Sequence, residues 1–394
     1  MFSQEILLSV PVRTAIGNYN GSLRQTPAVE LATTVIKEVI KRSALTPEAI
    51  DTVVMGNVIQ AGNKMNPARQ ATIHAGLSVN TPALTVNRVC GSGAQAIVSA
   101  AQEIAVSGAD IAIAGGMENM DLAPYLVGGG RWGYRMGDAQ IYDSMLRDGL
   151  HDAFSNKHSG WHTEDLIMKY SISREEQDAW ALRSHHQFTQ AQSEGKFVAE
   201  IAPITIPTKG GTVDFEEDET NRPDTSLEKL TKLKPAFREN GTLTAGNSPG
   251  LNSGAAAILV SNRAAAKKYG LEPLAKLMGY AVSAVEPGMF GIAPAPAIQT
   301  LLKRVGWTLD DVERFEINEA YAAVPLAVIK ELGLNASLVN IEGGAVAHGH
   351  PIGATGAILT TRLLHSMQRD GLKRGIVALC IGGGQGIALA LEAI

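Results

Sequence analysis

Cysteine is scarce in this chain, at two residues in 394, which excludes a disulfide framework. Long apolar runs are absent as well. No stretch approaches the roughly 20 residues that span a bilayer, because the Ala/Gly-rich runs are broken by turn residues or charges. The N-terminal sequence MFSQEILLSV has no basic region followed by an apolar core and a cleavage site, so the expected compartment is reducing and cytoplasmic. Charge of one sign is not concentrated anywhere: 34 basic and 39 acidic residues give a formal charge of −5 without a block. Nothing therefore points to nucleic acid or an anionic membrane, although a local basic pocket for one anionic ligand stays open. Aromatics are only 5% of the chain against 41 glycines, a balance that favours closely packed helices and sheets joined by Gly-rich turns.

What is present is an alternation of strand-like and helix-like segments. Glu5 to Val12, Thr52 to Ile59, Pro82 to Val86 and Asp110 to Ala114 read as buried strands, the last stopping at Gly115-Gly116. Between them Ala28 to Arg42, Asn66 to Ala75 and Ala94 to Val106 carry helical periodicity, so βαβ units and a largely parallel, doubly covered sheet are expected. From Met117 to about Gly250 the pattern changes to turns, an acidic loop FEEDET and one helix, Ser173 to Gly195, opened by the capping sequence SREE. This region reads as an insertion, after which Gly254 to Val260 completes the sheet. Length suggests two or three domains.

The second part of the chain repeats the first. Leu274 to Ala284, Arg314 to Asn318, Leu338 to Ile341 and Ile376 to Leu379 read as strands, a helix runs from about Gly353 to Met367, and Ile387 to Leu391 is a closing strand. Overlaying VNRVCGSGAQAI on VNIEGGAVAHGHPIGATGAIL matches strand, Gly turn and helix, so the turn carrying Cys90 in one half carries His350 in the other. A pseudo-twofold packing would bring the two helix N-termini, and with them a thiol and an imidazole, into one pocket.

Cys90 follows a strand and precedes a helix, with Gly91 and Gly93 expected to permit the tight turn. The helix dipole would there favour thiolate and lower the thiol pKa, the alternative being a packing cysteine. An imidazole, with its ordinary pKa of about 6.5, is the side chain suited to take the thiol proton. His350 precedes Pro351, which is expected at the first helical position. The pair His348 and His350 suggests a metal, but zinc needs three or four ligands and no cluster completes the set, so no metal is expected. Cys380, between a strand and Gly382 to Gly384, reads as a second reactive thiol, and the freed N–H groups of these glycines suit an oxyanion, where each donor is worth about 3 kcal/mol. Asn318, at the end of an expected strand, could orient a water, and it could also be the N-cap of a helix starting at Glu319.

Taken in order, VNRVCGSGAQAI, GGMENM, RWGYRMG, TAGNSPGLNSGAAA, INEAYAA, GGAVAHGHPIGATGA and LCIGGGQG span nearly the whole chain. This set strongly resembles the thiolase family, and within it the acetyl-CoA acetyltransferases. The resemblance implies an α/β fold of two duplicated βαβαβαββ halves in a five-layered αβαβα arrangement with an inserted loop domain: residues 1–120 completed by 250–268, residues 121–249 for coenzyme A binding and oligomerisation, and residues 269–394. It implies an acyltransferase that condenses two acetyl-CoA to acetoacetyl-CoA and CoA, reversibly, with coenzyme A thioesters as substrates and no cofactor. Cys90 would be acylated, His350 would activate it and Cys380 would move the proton on the second substrate. Asn318 would hold a water that with His350 forms one oxyanion hole, the N–H groups of Cys90 and Gly382 forming the other.

Coenzyme A contacts implied by the resemblance fall on His158, Arg222, Phe237, Ser248 and Phe290. The chain departs from the family pattern at several places: Pro249 stands where a serine is common, Ser253 where Asp is common, Ser159 where biosynthetic members carry Met, and His348 where an aliphatic residue is usual. Trp161 and His162 occupy positions that are usually small or polar. RWGYRMG resembles the loop through which tetrameric members assemble, so a homotetramer is expected, with a dimer as the alternative. Two other activities compete with this one: a 3-ketoacyl-CoA thiolase for longer chains in fatty-acid degradation, and a non-catalytic acyl-CoA-binding protein. A condensing ketoacyl synthase usually pairs its cysteine with two histidines, and Cys380 stands where the second would be.

Overall fold

The computed structural model describes residues 4–394. Two copies of one unit make up its framework. The first runs β1 (Ile6–Arg13), α1 (Ala28–Ser43), β2 (Thr52–Gly56), α2 (Pro67–His74), β3 (Ala83–Val86), α3 (Ser92–Val106) and β4 (Ile111–Asn119). The chain then leaves for the insertion, which holds α4 (Ser159–Tyr170) and α5 (Arg174–Ser193), and returns as β5 (Asn252–Asn262). The second copy runs β6 (Ala275–Ala284), α6 (Pro294–Val305), β7 (Arg314–Ile317), α7 (Ala323–Leu332), α8 (Thr355–Asp370), β8 (Arg374–Ile381) and β9 (Gln385–Ala393).

One sheet joins the copies, in the order β7-β8-β9-β6-β1-β5-β4-β2-β3. At its centre β1 meets β6 antiparallel, Leu7 opposite Lys276 and Leu8 opposite Ala275. Outward from that seam the pairings repeat: β1 with β5 and β5 with β4 are antiparallel and β4 with β2 parallel, while β6 with β9 and β9 with β8 are antiparallel and β8 with β7 parallel. The expected duplication is therefore present in the hydrogen bonding itself, but the sheet is not largely parallel as expected: the pairings from β4 through β1 to β8 are antiparallel and only the outer ones, β4 with β2, β2 with β3 and β8 with β7, are parallel.

Three apolar clusters set the layers. Val35, Ile36 and Val39 of α1 bury against Val53 and Met55 on one outer face. Ile298 and Leu301 of α6 pack with Phe315 and Val328 on the other. Between the sheet halves α3 and α8 share a core of Ile97, Ile104, Leu359 and Leu363 with Val54 and Leu379. Each such buried Leu, Ile or Phe contributes about 1.5–3 kcal/mol, so the helix-sheet-helix-sheet-helix stacking is an apolar construction. A Cβ on Gly93 would stand 2.6 Å from the Ala357 nitrogen, and one on Gly356 would stand 2.3 Å from the Ala94 nitrogen. The N-termini of α3 and α8 consequently touch.

Several boundaries differ from those read in the sequence. The strand expected to stop at Gly115-Gly116 continues to Asn119 because β5 pairs with it as far as Ser253. Residues 57–59, expected at the end of a strand, leave it: the Asn57 N–H still bonds the Val86 carbonyl at 3.1 Å, while the Val58 and Ile59 N–H groups turn toward Glu118. Leu338 to Ile341 is not a strand: a 3₁₀ turn covers Ala336–Leu338 and only a single parallel bridge, Phe315 with Val339, remains. Pro351 does not start a helix; α8 begins at Thr355, and the Pro351 carbonyl accepts from the N–H groups of Ala354 and Thr355 at 2.8 and 3.0 Å. The capping box at Ser173 is formed, with Glu176 returning a 2.7 Å bond to the Ser173 N–H.

Candidate active site

Cys90 lies in the turn between β3 and α3, just ahead of the N-cap Gly91. The positive φ of this turn falls on neither expected glycine but on Val89, at 45°. A β-branched residue held there is strained, and such strain persists where surrounding structure over-determines it. Here the Ser92 hydroxyl donates to the Val89 carbonyl at 2.6 Å and accepts from the Arg88 N–H at 2.8 Å. Arg88 in turn reaches Gln385 of β9 at 2.9 Å, tying the nucleophile turn to the second half.

His350 is buried in the matching turn before α8. Its N–H donates to Asn252 Oδ1 at 2.8 Å, and the preceding Gly349, with φ of 98°, lets the chain pass so close that a Cβ would stand 2.6 Å from Asn252. The Thr355 hydroxyl gives its proton to the Pro351 carbonyl at 2.9 Å while lying 2.7 Å from His350 Nδ1. That assigns the ring proton to Nδ1 and leaves a lone pair on Nε2. Asn318, directly after β7, sets its Nδ2 at 3.3 Å from Nε2, and its own Oδ1 has no partner among the described residues. It does not cap a helix, since α7 starts at Ala323 with Ala322 as its N-cap.

Electrostatics revise one expectation. Burial raises the Cys90 thiol to about 11, against the Gly382 N–H that donates to its sulfur and with help from nearby Glu118. Loss of solvation outweighs the backbone N–H groups of Gly382 and Cys90 that favour the thiolate. Burial pushes His350 down to about 4. The resting pair is thus neutral thiol and neutral imidazole, a base ready to accept a proton rather than a preformed thiolate. Cys380, near the end of β8, is fully buried, and burial and the neighbouring Cys90 raise its thiol well above the ordinary value. It is enclosed beside Cys90 instead of being presented at the surface.

A cavity of about 490 Å³ opens onto Cys90, His350 and Gly382. The insertion supplies much of its wall. His158 caps α4 by accepting the Gly160 N–H at 3.0 Å, and its ring stacks on Phe237 with centroids 4.7 Å apart. Burial and the neighbouring His151 lower its pKa to about 4. Phe237, Phe290 and Ser248 also line the cavity, and the buried Ser248 hydroxyl has no protein partner. Arg222 is not brought there: it is exposed, and its guanidinium stands 3.5 Å from the Ala245 carbonyl. Trp161 stacks under Arg238 at 3.7 Å, and His162 lines the cavity with Nε2 2.6 Å from the Ser155 hydroxyl. His348 is wholly buried beside Arg362 and Arg13, with no side-chain partner for either ring nitrogen among the described residues and only the Gly349 backbone close by. Among the described residues no group of three or more His, Cys, Asp or Glu could hold a metal ion.

Sequence reasoning missed Glu118. Its buried carboxylate accepts from the Val58 N–H at 3.0 Å, the Ile59 N–H at 3.3 Å, Asn57 Nδ2 at 2.8 Å and, from the other half, the Gly353 N–H at 3.0 Å. Burial raises it to about 7. A charged residue inside the buried strand IAIAGGMEN was the available signal. Asn252, Thr355 and Tyr321 were also missed; their roles depend on contacts across more than one segment.

Two family descriptions match the chain: the thiolase N-terminal domain over residues 9–264 and the thiolase C-terminal domain over residues 271–393. It is 49% identical over 389 residues to an acetyl-CoA acetyltransferase of Chromobacterium violaceum, covering 98% of this chain and 99% of that one. A Pseudomonas aeruginosa protein of the same name is 48% identical over the same shares. The fold is similar to the crystal structure of the Bacillus anthracis acetyl-CoA acetyltransferase, with a TM-score of 0.97 at 43% identity, and to that of human mitochondrial 3-ketoacyl-CoA thiolase, with a TM-score of 0.98 at 40% identity, both over 100% of each chain. Matched in both halves and built on the duplicated fold, this chain belongs to the thiolase family.

Proposed function

We propose that the protein is an acetyl-CoA C-acetyltransferase that condenses two acetyl-CoA to acetoacetyl-CoA and free CoA, and runs the thiolytic reverse, through an acetyl-Cys90 intermediate. The observation that carries this reading is the convergence at one cavity of a Cys90 sulfur receiving the Gly382 N–H and a His350 imidazole held by Thr355 with its Nε2 unprotonated, 3.3 Å from Asn318 Nδ2.

In the first half-reaction His350 Nε2 takes the Cys90 proton as the sulfur attacks the acetyl-CoA carbonyl. The oxyanion receives the N–H groups of Cys90 and Gly382, and on collapse the departing CoA sulfur takes the Cys380 proton, leaving a Cys380 thiolate and a protonated His350. In the second, Cys380 as thiolate removes an α proton from another acetyl-CoA, and the enolate oxygen is stabilised by His350 and a water on Asn318. The carbanion attacks the acetyl carbon on Cys90, acetoacetyl-CoA forms, and the Cys90 sulfur leaves and recovers its proton from His350, while Cys380 keeps the α proton and is again a thiol. No cofactor takes part. Both neutral resting groups suit this sequence, since the proton moves only as the bond forms.

Residues 1–120 with 250–268 and residues 269–394 serve as the two halves, and residues 121–249 as the coenzyme A and assembly segment. His158, Phe237, Ser248 and Phe290 are read as pantetheine and acyl contacts, and Arg222 as an outer contact for the nucleotide phosphates. The loop RWGYRMG leaves Trp132 at 85% and Met136 at 98% exposure, which supports assembly into a homotetramer, with a dimer as the smaller alternative. No helix among the described residues is long and apolar enough to cross a membrane, and we place the enzyme in the cytoplasm.

Steady-state thiolysis tests the reading. Acetoacetyl-CoA and CoA varied together should give the parallel double-reciprocal lines of a two-stage transfer, with acetoacetyl-CoA preferred over 3-oxooctanoyl-CoA. Preference for the longer substrate would instead assign the 3-ketoacyl-CoA thiolase of fatty-acid degradation. No turnover of either would leave an acyl-CoA-binding protein.

A further inference from the structure

One feature of the cavity wall is left without work by the reaction above. Ser159, the first residue of α4, and Tyr321, three residues beyond Asn318, both line the cavity, and their hydroxyl oxygens lie 2.7 Å apart. Neither side chain makes another hydrogen bond among the described residues. Two hydroxyls hold two protons and the bond between them uses one, so one O–H donor remains and faces the cavity. The pair is rigidly placed. The Tyr321 ring is buried and meets Phe237 edge-on at 5.7 Å, and Phe237 is itself stacked on His158. It is also close to the chemistry, because the Cys90 and Cys380 thiols both act, after burial, to raise the Tyr321 phenol above its ordinary range.

The oxygens of the reacting thioesters already have donors in the Cys90 and Gly382 N–H groups and in the Asn318–His350 pair. The spare hydroxyl is left for the part of the substrate beyond them, on a wall that carries Phe237, Phe290, Met120 and Ile352 beside the polar His158, His162 and Ser248. A hydrocarbon tail laid there would bury an unpaired donor, whereas a tail with its own acceptor would satisfy it, and sites built to hydrogen-bond discriminate strongly against analogues that cannot. Resting on the acyltransferase reading above, we propose that Ser159 and Tyr321 form a polar acyl subsite that selects acyl-CoA thioesters whose short acyl tail ends in a hydrogen-bond acceptor, a hydroxyl or a carboxylate, over the apolar tail of equal length.

Thiolysis by the full-length enzyme tests this with 6-hydroxy-3-oxohexanoyl-CoA, 3-oxoadipyl-CoA and the apolar 3-oxoheptanoyl-CoA, acetoacetyl-CoA serving as reference. The expected result is a kcat/KM for at least one polar tail about tenfold or more above the apolar one. The hydroxyl arm against the carboxylate arm tells whether the tail is neutral or anionic. Tyr321→Phe and Ser159→Ala should each bring the ratio toward one. Acetyl labelling of Cys90 by intact mass verifies that each variant is folded, and either variant alone suffices if the other fails to fold. Equal or faster cleavage of the apolar tail overturns the proposal, as does a polar preference that survives in a folded variant. Failure of the wild type on acetoacetyl-CoA would instead count against the underlying reaction.

Discussion

The turns that carry Cys90 and His350 occupy equivalent places in the two halves, each between a strand position and a central helix, yet they are held in different ways. The His350 ring is fixed by Thr355 and Asn318 and its backbone by Asn252, three polar partners from different segments. The Cys90 turn is held by its backbone, through Ser92, Val89 and the packing of α3 on α8, and its sulfur receives backbone N–H groups alone, those of Gly382 and of Cys90 itself. A base must be oriented and kept in one tautomer, while a nucleophile must keep its reacting atom free. One duplicated scaffold thus yields two specialised sites, and Glu118 clamps them together by bonding backbone of both halves.

The difference can be broken from either side. His350→Ala removes the oriented base, and acylation measured by rapid-quench transfer from acetyl-CoA should slow by about 10²–10⁴; a change below tenfold would show that Cys90 needs no base. On the nucleophile side, a thiol raised to about 11 predicts iodoacetamide alkylation of Cys90 that climbs roughly tenfold per pH unit from 7 to 9. A plateau already reached near neutrality would restore the dipole-activated thiolate. The smallest effect concerns the neighbourhood of the His350 turn. His348 is buried with no side-chain partner among the described residues, and its pKa is held well below 6.5 first by burial and then by Arg362 and Arg13, against the Gly349 backbone. The unfolded chain therefore binds a proton that the folded one refuses, and stability is lost as pH falls below about 6.5, by at most about 1.4 kcal/mol per unit for this group. His348→Leu should raise the thermal midpoint and shrink its drop between pH 7.5 and 5.5. An unchanged drop would mean that His348 is protonated in the fold.

The halves were legible because apolar runs recur in the same order, and the Cys90 and His350 turns because the repeat aligns them. Three parts were not legible. The strand expected at Leu338 to Ile341 has suitable residues, but Asn340 at φ 47° turns the chain and sends its side chain to Ile317 and Glu319. The rise of the Cys90 pKa depends on how deeply the sulfur is covered, and no local pattern reports that. Glu118, Asn252 and Thr355 each serve a residue distant in the sequence or on another segment, so their importance exists only once the chain is folded.

Intact mass after brief exposure to acetyl-CoA tests the central assignment most directly. The account predicts a single acetyl adduct in the wild type, none in Cys90→Ala, and in Cys380→Ala an adduct that forms but yields no acetoacetyl-CoA. Persistence of the adduct in the Cys90 variant, or full condensation by the Cys380 variant, would contradict it.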